Sequence, residues 1–200
     1  IDWITSGTKF LPHYHIPLQS GCDTILREMG RRYDTAAFAH KIQYIREKSE
    51  VPGGMKVFFG IDVIVGFPGE TRKAFKELCD FIKEQKLTYV GFFAYSREEG
   101  TPAALLKKQV PNFIKKHRVN VAGKIQYKVV QENNAKLLGQ EIEAVVDKNS
   151  DDYAILRTEY QCPIVDNVIY TDNNNLELGK SYKVRIINIL NYDLEGEIIK

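Results

Sequence analysis

The chain has 200 residues, 44% of them hydrophobic, with 28 Lys and Arg against 26 Asp and Glu for a net charge of +2. That composition is ordinary for one large globular domain or two smaller ones, and it excludes a low-complexity chain. No apolar run approaches the roughly 20 residues of a membrane span, so no membrane partner is expected. The three cysteines, Cys22, Cys79 and Cys162, fit no zinc or iron–sulfur spacing and are expected as free thiols in a reducing cytosol.

The opening IDWITSGTKF has no Met and no signal-peptide pattern and reads as a mid-protein segment, so a piece of a longer chain is expected. YHIPL follows as a short apolar strand. CDTILREMG reads as one short helix, with Asp23 near its start and Gly30 as its C′ residue. In DTAAFAHKIQYIREKSE, Phe38, Ile42 and Ile45 share a helical face and Asp34 is a good N-cap. VPGG breaks that helix. MKVFFGIDVIVG is a nearly continuous apolar run, which predicts a strand buried on both faces. GFPGE turns the chain. TRKAFKELCDFIKEQK is an amphipathic helix with Phe75, Leu78 and Ile82 inward, and LTYVGFFAYS is another buried strand. Strands that alternate with helices pair in parallel through right-handed crossovers. Such sheets carry their active groups at the C-terminal strand ends. Gln19, Gly66 and Ser96 all lie just past such ends.

Residues 111–138 read as one long helix, with Pro111 near its start and Gly139 past its end. Residues 107–128 hold seven Lys or Arg and no acid. Such a stripe either binds nucleic acid or is a solvated face, and the solvated face is the expectation. From Gly139 the pattern changes to five short β-runs, EIEAVV, YAILRT, VIYT, YKVRIINI and DLEGEII, separated by turn-rich stretches such as DKNSDD and TDNNN. That predicts a small β-barrel. Charge reverses at the same point: residues 1–138 carry 22 basic against 14 acidic residues, and residues 139–200 carry 6 against 12. Two domains, 1–138 and 139–200, follow from the two patterns.

His13 and His15 are two apart on a strand and share a face. With no third ligand nearby, a polar barrel lining is expected ahead of a metal site. Gln19 keeps the parity of His13, His15 and Pro17. Arg31 follows one helix later and is able to return a guanidinium to the strand end. Asp62 interrupts an apolar run, where an acid is costly unless paired or hydrogen-bonded. On spacing alone, Gln19, Arg31 and Asp62 either hold a polar ligand or form a structural network. GFPGE has no lysine and is no Walker loop. Core packing is the expectation for Phe93 and Tyr95.

Taken together, HIPLQSG, ILREMGRR, IDVIVGFPGET, FFAYSREEGTPA and the KQVP that opens the long helix resemble the radical SAM methylthiotransferase family. The final sixty residues resemble the TRAM domain that closes such enzymes. The resemblance covers essentially the whole chain. It implies an α/β fold: the C-terminal half of a (βα)6 partial TIM-like barrel with its long linking helix over 1–138, then a small all-β TRAM barrel over 139–200. It implies a transferase that uses S-adenosylmethionine and two 4Fe–4S clusters. The cluster ligands would lie outside this chain, which lacks the family's Cys-x-x-x-Cys-x-x-Cys loop, so the chain alone is expected to hold no metal and to be inactive. No catalytic residue is assigned.

By motif position, Gln19, Arg31 and Asp62 resemble the polar residues that hold the ribose and methionine part of S-adenosylmethionine. The backbone of Val63, Ile64 and Gly66, and that around Ala94, would line its adenine, with Ser20 a further candidate. VGFFAYSREEGTPA, QENNAKLLGQ, CPIVDNVIY and NYDLEGE resemble the branch that modifies the β-carbon of an aspartate in a small-subunit ribosomal protein. Asp166, Tyr192 and Asp193 are its substrate-binding candidates. HIPLQSG and the Asp of IDVIVG resemble branches that modify the adenosine beside the tRNA anticodon. A net charge of −6 over 139–200 suits a basic ribosomal protein better than tRNA, whose phosphates call for a basic face. The expectation is a cytoplasmic ribosomal-protein methylthiotransferase served by a cellular electron donor. The alternatives are tRNA methylthiolation and a substrate-binding piece.

Overall fold

The structure is a computed structural model that describes residues 1–2, 9–49, 57–172 and 175–199. The VPGG break, Met55 and Lys56 of the following run, and Asn173 and Asn174 of TDNNN lie outside those residues.

Three strands, β1 (His13–His15), β2 (Phe58–Val65) and β3 (Tyr89–Ala94), pair in parallel in that order. Three helices serve them: α1 (Asp23–Glu28), α2 (Thr35–Lys48) and α3 (Arg72–Gln85). Each start and stop has a local cause. The Asp34 carboxylate accepts the Ala37 amide at 2.7 Å and opens α2, and the Thr71 hydroxyl accepts the Ala74 amide at 3.1 Å and opens α3. Gly30, at φ +72°, follows α1 in the left-handed conformation that glycine adopts without strain. Helical spacing then turns Phe38, Ile42 and Ile45 of α2, and Leu78 and Ile82 of α3, onto one face of the sheet. There they bury Leu18, Phe59, Ile61, Val63, Val65 and Val90. Each such aliphatic or aromatic burial contributes roughly 1.5–3 kcal/mol.

The other face differs from expectation. Asp62 and Ile64 are only half-buried, and Phe93, expected in the core, is 56% exposed. β2 and β3 are therefore not buried on both faces. The reason is coverage: helices pack on one face, and at the N-terminal end of the other a second domain approaches. There His13 stacks on Phe58 at 5.0 Å, and Phe58 stacks on Tyr89 at 5.4 Å.

The long helix α4 (Asn112–Ala135) packs on α3 and β3. Its buried face reads Lys115, Arg118, Ala122, Gln126, Val130 and Asn134, a helical spacing of three and four. Two of the seven cations of 107–128 thus turn inward, which corrects the reading of that stripe as one solvated face.

β4 (Glu141–Asn149), β5 (Ala154–Arg157), β6 (Ile169–Thr171), β7 (Ser181–Leu190) and β8 (Asp193–Ile198) close into a barrel of order β4-β5-β6-β8-β7. Alternate residues fill it, among them Ala144, Val146, Leu156, Ile169, Val184, Ile186 and Leu194. Gly196 has no side chain because a Cβ there would meet Val184 Cγ1 at 2.3 Å.

The β7–β8 turn docks the barrel. Asn191 takes φ +59°, and the Tyr192 ring packs on Tyr127 of α4 at 5.3 Å and on Tyr89 of β3 at 6.1 Å. The Tyr192 carbonyl accepts the Asn134 amide at 3.1 Å and the Tyr89 hydroxyl at 3.3 Å. Gln131 donates to the Asn191 carbonyl. At the far side of the seam, His13 Nδ1 lies 3.0 Å from the Tyr160 carbonyl.

Candidate functional site

The open sheet face and its C-terminal edge carry four of the sequence candidates, Gln19, Asp62, Ile64 and Ala94. β2 and β1 are in register from His13↔Phe58 to His15↔Gly60. By Gln19, which bridges Val63, the register has slipped by one residue. Gln19 itself sits at φ +68°. The parity that placed it with His13 and His15 is therefore interrupted before it is reached. Its amide donates to the Asp62 carbonyl at 2.8 Å, and its carbonyl accepts the Ile64 amide at 2.9 Å. Its side chain makes no hydrogen bond among the described residues, so the amide group is free for a ligand.

Asp62 is paired. Its Oδ2 lies 3.0 Å from His15 Nε2. Both side chains keep contact with solvent, at 57% exposure for His15 and 37% for Asp62. Two glycines make the space. A Cβ at Gly60 would stand 3.1 Å from His15 Nδ1, and one at Gly91 would stand 3.4 Å from Asp62 Oδ1.

Beyond this pair, at the strand ends, lies a pocket of about 340 Å³ lined by Ile64, Phe93, Ala94, Ser96, Thr101 and Ala103. That volume is at the lower end of small-molecule sites, about 300–1,000 Å³. Its position is where parallel α/β sheets place ligands. A larger cleft of about 520 Å³, bordered by Arg46, Phe59, Lys86 and Lys136, opens at the opposite, N-terminal end of the strands. Conserved chemistry is not expected at that end of such a sheet.

The remaining candidates scatter. Val63 is fully buried toward the helices and offers only backbone. Ser20 is buried, and its hydroxyl accepts the Cys22 amide at 3.3 Å. Arg31 is exposed and makes no side-chain hydrogen bond or ion pair among the described residues. Gly66 is buried, and its amide donates to Glu70 Oε1 at 2.9 Å. In the barrel, Asp166 accepts the Cys162 amide at 2.6 Å and lies 3.6 Å from His13 Nδ1. Asp193 accepts the Val168 amide at 2.9 Å. With Tyr192 in the seam, all three barrel candidates are engaged within the chain.

Four residues that sequence reasoning left out of the site hold its edge. His15 pairs with Asp62. Glu70, the acid just before the Thr71 cap, is held by Arg118 Nη1 at 2.6 Å, with side-chain exposures of 1% and 8%. Burial raises the Glu70 carboxyl above its ordinary range, against the pull of Arg118 and of the Gly66 amide. Lys115 Nζ donates to the Tyr95 carbonyl at 2.8 Å and lies 5.0 Å from the centre of the Tyr95 ring. The available signal was spacing: Lys115 and Arg118 share the helical face of Ala122, Gln126 and Val129.

Among the described residues no group of three or more His, Cys, Asp and Glu side chains is placed to hold a metal ion. Cys22 and Cys79 are buried and Cys162 is exposed. The described residues do not fit an iron–sulfur cluster. No helix among the described residues is long and apolar enough to cross a membrane.

The architecture is an open-faced parallel α/β sheet, with a ligand-sized pocket at its C-terminal edge, joined by one helix to a closed barrel. Residues 138–199 match the TRAM domain, and that barrel is a TRAM domain. Over its whole length the chain is a homologue of proteins named ribosomal protein uS12 methylthiotransferase RimO. It is 34% identical to that of Aquifex aeolicus (strain VF5) over 98% of the chain and 45% of the relative. It is 38% identical to that of Chlamydia pneumoniae, over 100% and 43%, and 39% identical to that of Desulforamulus reducens, over 99% and 44%. The chain spans less than half the length of these curated relatives.

Proposed function

We propose that the chain is the cofactor-holding and substrate-selecting part of a radical SAM methylthiotransferase that adds a methylthio group to the β-carbon of an aspartate in ribosomal protein uS12. The observation that carries this reading is the pocket of about 340 Å³ at the C-terminal edge of the sheet, which two of the motif-assigned residues, Ile64 and Ala94, line. The whole-chain similarity to uS12 methylthiotransferases supports the same reaction class.

The residues fit S-adenosylmethionine in kind. Ile64 and Phe93 offer half-buried and exposed apolar surface for a flat base. The free Gln19 amide and the His15–Asp62 pair offer donors and acceptors to hydroxyl groups. When bound, S-adenosylmethionine supplies the one-electron chemistry that opens an unactivated C–H bond. The chain's own part is to bind and orient. Asp62 holds His15 and accepts hydroxyl protons, and Ile64 and Phe93 exclude water from one face of the base. The 4Fe–4S ligands and the contact with a cellular electron donor belong to parts of the protein beyond these residues. The acidic TRAM domain, net −6 over 139–200, suits a basic ribosomal protein in the cytoplasm.

Mass spectrometry of ribosomal proteins and of tRNA, from cells with and without the gene, tests the substrate. Loss of the methylthio group from uS12 alone is expected; its loss from tRNA with uS12 unchanged would reverse the assignment. For the cofactor, Gln19→Ala and Asp62→Ala in the intact protein should weaken S-adenosylmethionine binding about tenfold at unchanged iron content. Unchanged affinity in both variants would remove them from the site.

A further inference from the structure

We propose that Lys115 is a positioning residue for the pocket: from α4 it fixes the two strand ends, at Gly66 and Tyr95, between which a bound nucleoside is clamped. The inference rests on the reading of that pocket as the S-adenosylmethionine site.

Lys115 is 6% exposed. It contacts both strand ends. Its aliphatic stem takes the place a side chain would occupy at Gly66, where a Cβ would stand 2.5 Å from Lys115 Cγ. Its ammonium donates to the Tyr95 carbonyl at 2.8 Å, immediately beside Ala94 and Ser96 of the pocket lining. Tyr95 in turn donates its amide to the Val65 carbonyl at 2.9 Å and stacks edge-on against Phe67 at 5.4 Å. One turn along α4, Arg118 grips Glu70, whose carboxylate holds the Gly66 amide. The rim is thus bound to α4 at two points, one through each cation.

Stability alone does not account for a lysine here. An ammonium has three donors, and this one has a single hydrogen-bond acceptor, the Tyr95 carbonyl, with the face of the Tyr95 ring as its other partner. No carboxylate pairs with it among the described residues. Burying a cation without a counter-ion is costly, and a methionine would fill the same space without that penalty. The Tyr95 hydroxyl is also buried with no hydrogen-bond partner among the described residues. Both groups sit on the strand end that carries Ala94 and Ser96 of the pocket lining, so their cost falls where the geometry of the pocket is set. The fixed carbonyl also matters directly. Tyr95 starts the segment that turns from β3 into residues 95–101, and Ser96 and Thr101 on that segment line the pocket.

Three variants of the intact protein separate positioning from simple packing, with S-adenosylmethionine binding followed by equilibrium dialysis and folding followed by thermal melting. Lys115→Met keeps the stem and removes the ammonium. It should weaken binding about tenfold while the melting temperature of the ligand-free protein holds or rises. Lys115→Arg, which restores a donor to the Tyr95 carbonyl, should return affinity to within about threefold of the starting protein. Tyr95→Phe should leave the ligand-free protein as stable or more so, because it removes an unpartnered buried hydroxyl, while binding weakens severalfold. Binding in Lys115→Met equal to that of the starting protein would overturn the inference and leave the pocket assignment standing. So would a loss of affinity that only tracks a lowered melting temperature. Failure of the unsubstituted protein to bind S-adenosylmethionine would overturn the pocket assignment, and the Lys115 inference with it.

Discussion

Removing the Arg118 guanidinium tests how the strand-to-helix turn after β2 is held. Arg118→Met keeps much of the stem but leaves the Glu70 carboxylate, 1% exposed, with only the Gly66 amide at 2.9 Å. Two hydrogen bonds vanish, at 2.6 Å to Glu70 Oε1 and at 2.9 Å to the Glu70 carbonyl. Breaking a buried pair from one side costs about 3–5 kcal/mol, because the remaining charge is uncompensated. That penalty is charge-dependent and carries a pH signature. Burial already raises the Glu70 carboxyl, and loss of Arg118 raises it further. A raised folded-state pKa gives stability that is complete below the unfolded value, near pH 4.5, and is lost as pH climbs through the folded one. The deficit of Arg118→Met should therefore be largest at pH 7 and above, and shrink as pH falls toward 4.5. Urea denaturation followed by far-UV circular dichroism, repeated across pH, measures it as a shift of midpoint at constant slope. Arg118→Met with Glu70→Gln removes the charge and should recover most of the loss. A cost below about 1 kcal/mol for the single variant, or a deficit independent of pH, would refute the account of a desolvated, charge-paired Glu70.

Gly66→Ala should cost about 2–4 kcal/mol, since a φ of +76° and a Cβ 2.5 Å from Lys115 Cγ add strain to overpacking. Gly30→Ala, at φ +72° with open space, should cost only about 1 kcal/mol; equal losses in the two melting curves would count against the clash. Asp34→Ala removes the acceptor of the Ala37 amide and should lower stability by about 1 kcal/mol in the same assay. In the seam, burial raises the Tyr89 hydroxyl, with Asp193 and Asp166 adding to the shift, and burial pushes Tyr160 up to about 12. The unfolded chain then loses these protons first, so stability should fall as pH rises above about 10. Tyr89→Phe should flatten that fall in alkaline denaturation, and an unchanged slope would remove Tyr89 from it.

What was legible in the sequence follows from how local each cause is. The α2 and α3 starts rest on single caps, Asp34 and Thr71, and their inward faces on spacing within one helix, so both could be read directly. The five barrel strands carry their own alternation. The open face of β2 and β3 could not be read, because an apolar run such as FFGIDVIV looks the same whether one face or two are covered; coverage is set by elements far away in sequence. Parity carried His13 and His15 correctly to one face but failed at Gln19, where the register slips and φ turns positive. The acid at Asp62 was rightly taken to need a partner. His15, its partner, came from the neighbouring strand, and spacing within one strand gives no such pairing.

The motif residues of the barrel also have a structural part. By motif resemblance, Asp193 and Tyr192 of NYDLEGE, and Asp166 of CPIVDN, are substrate-binding candidates. Their side chains or carbonyls engage Val168, Asn134, Tyr89 and Cys162. Exposed beside Asp166 are Ile164, at φ +72°, and Val165, at the tip of the loop that Asp166 closes onto the Cys162 amide. The acids hold the loop and the seam in place, and α4 ties that seam to the pocket, with Gln131 and Asn134 at its last turns and Lys115 at its first. A helix of 24 residues, about 36 Å long, thus fixes the TRAM domain relative to the strand ends through contacts at both of its termini.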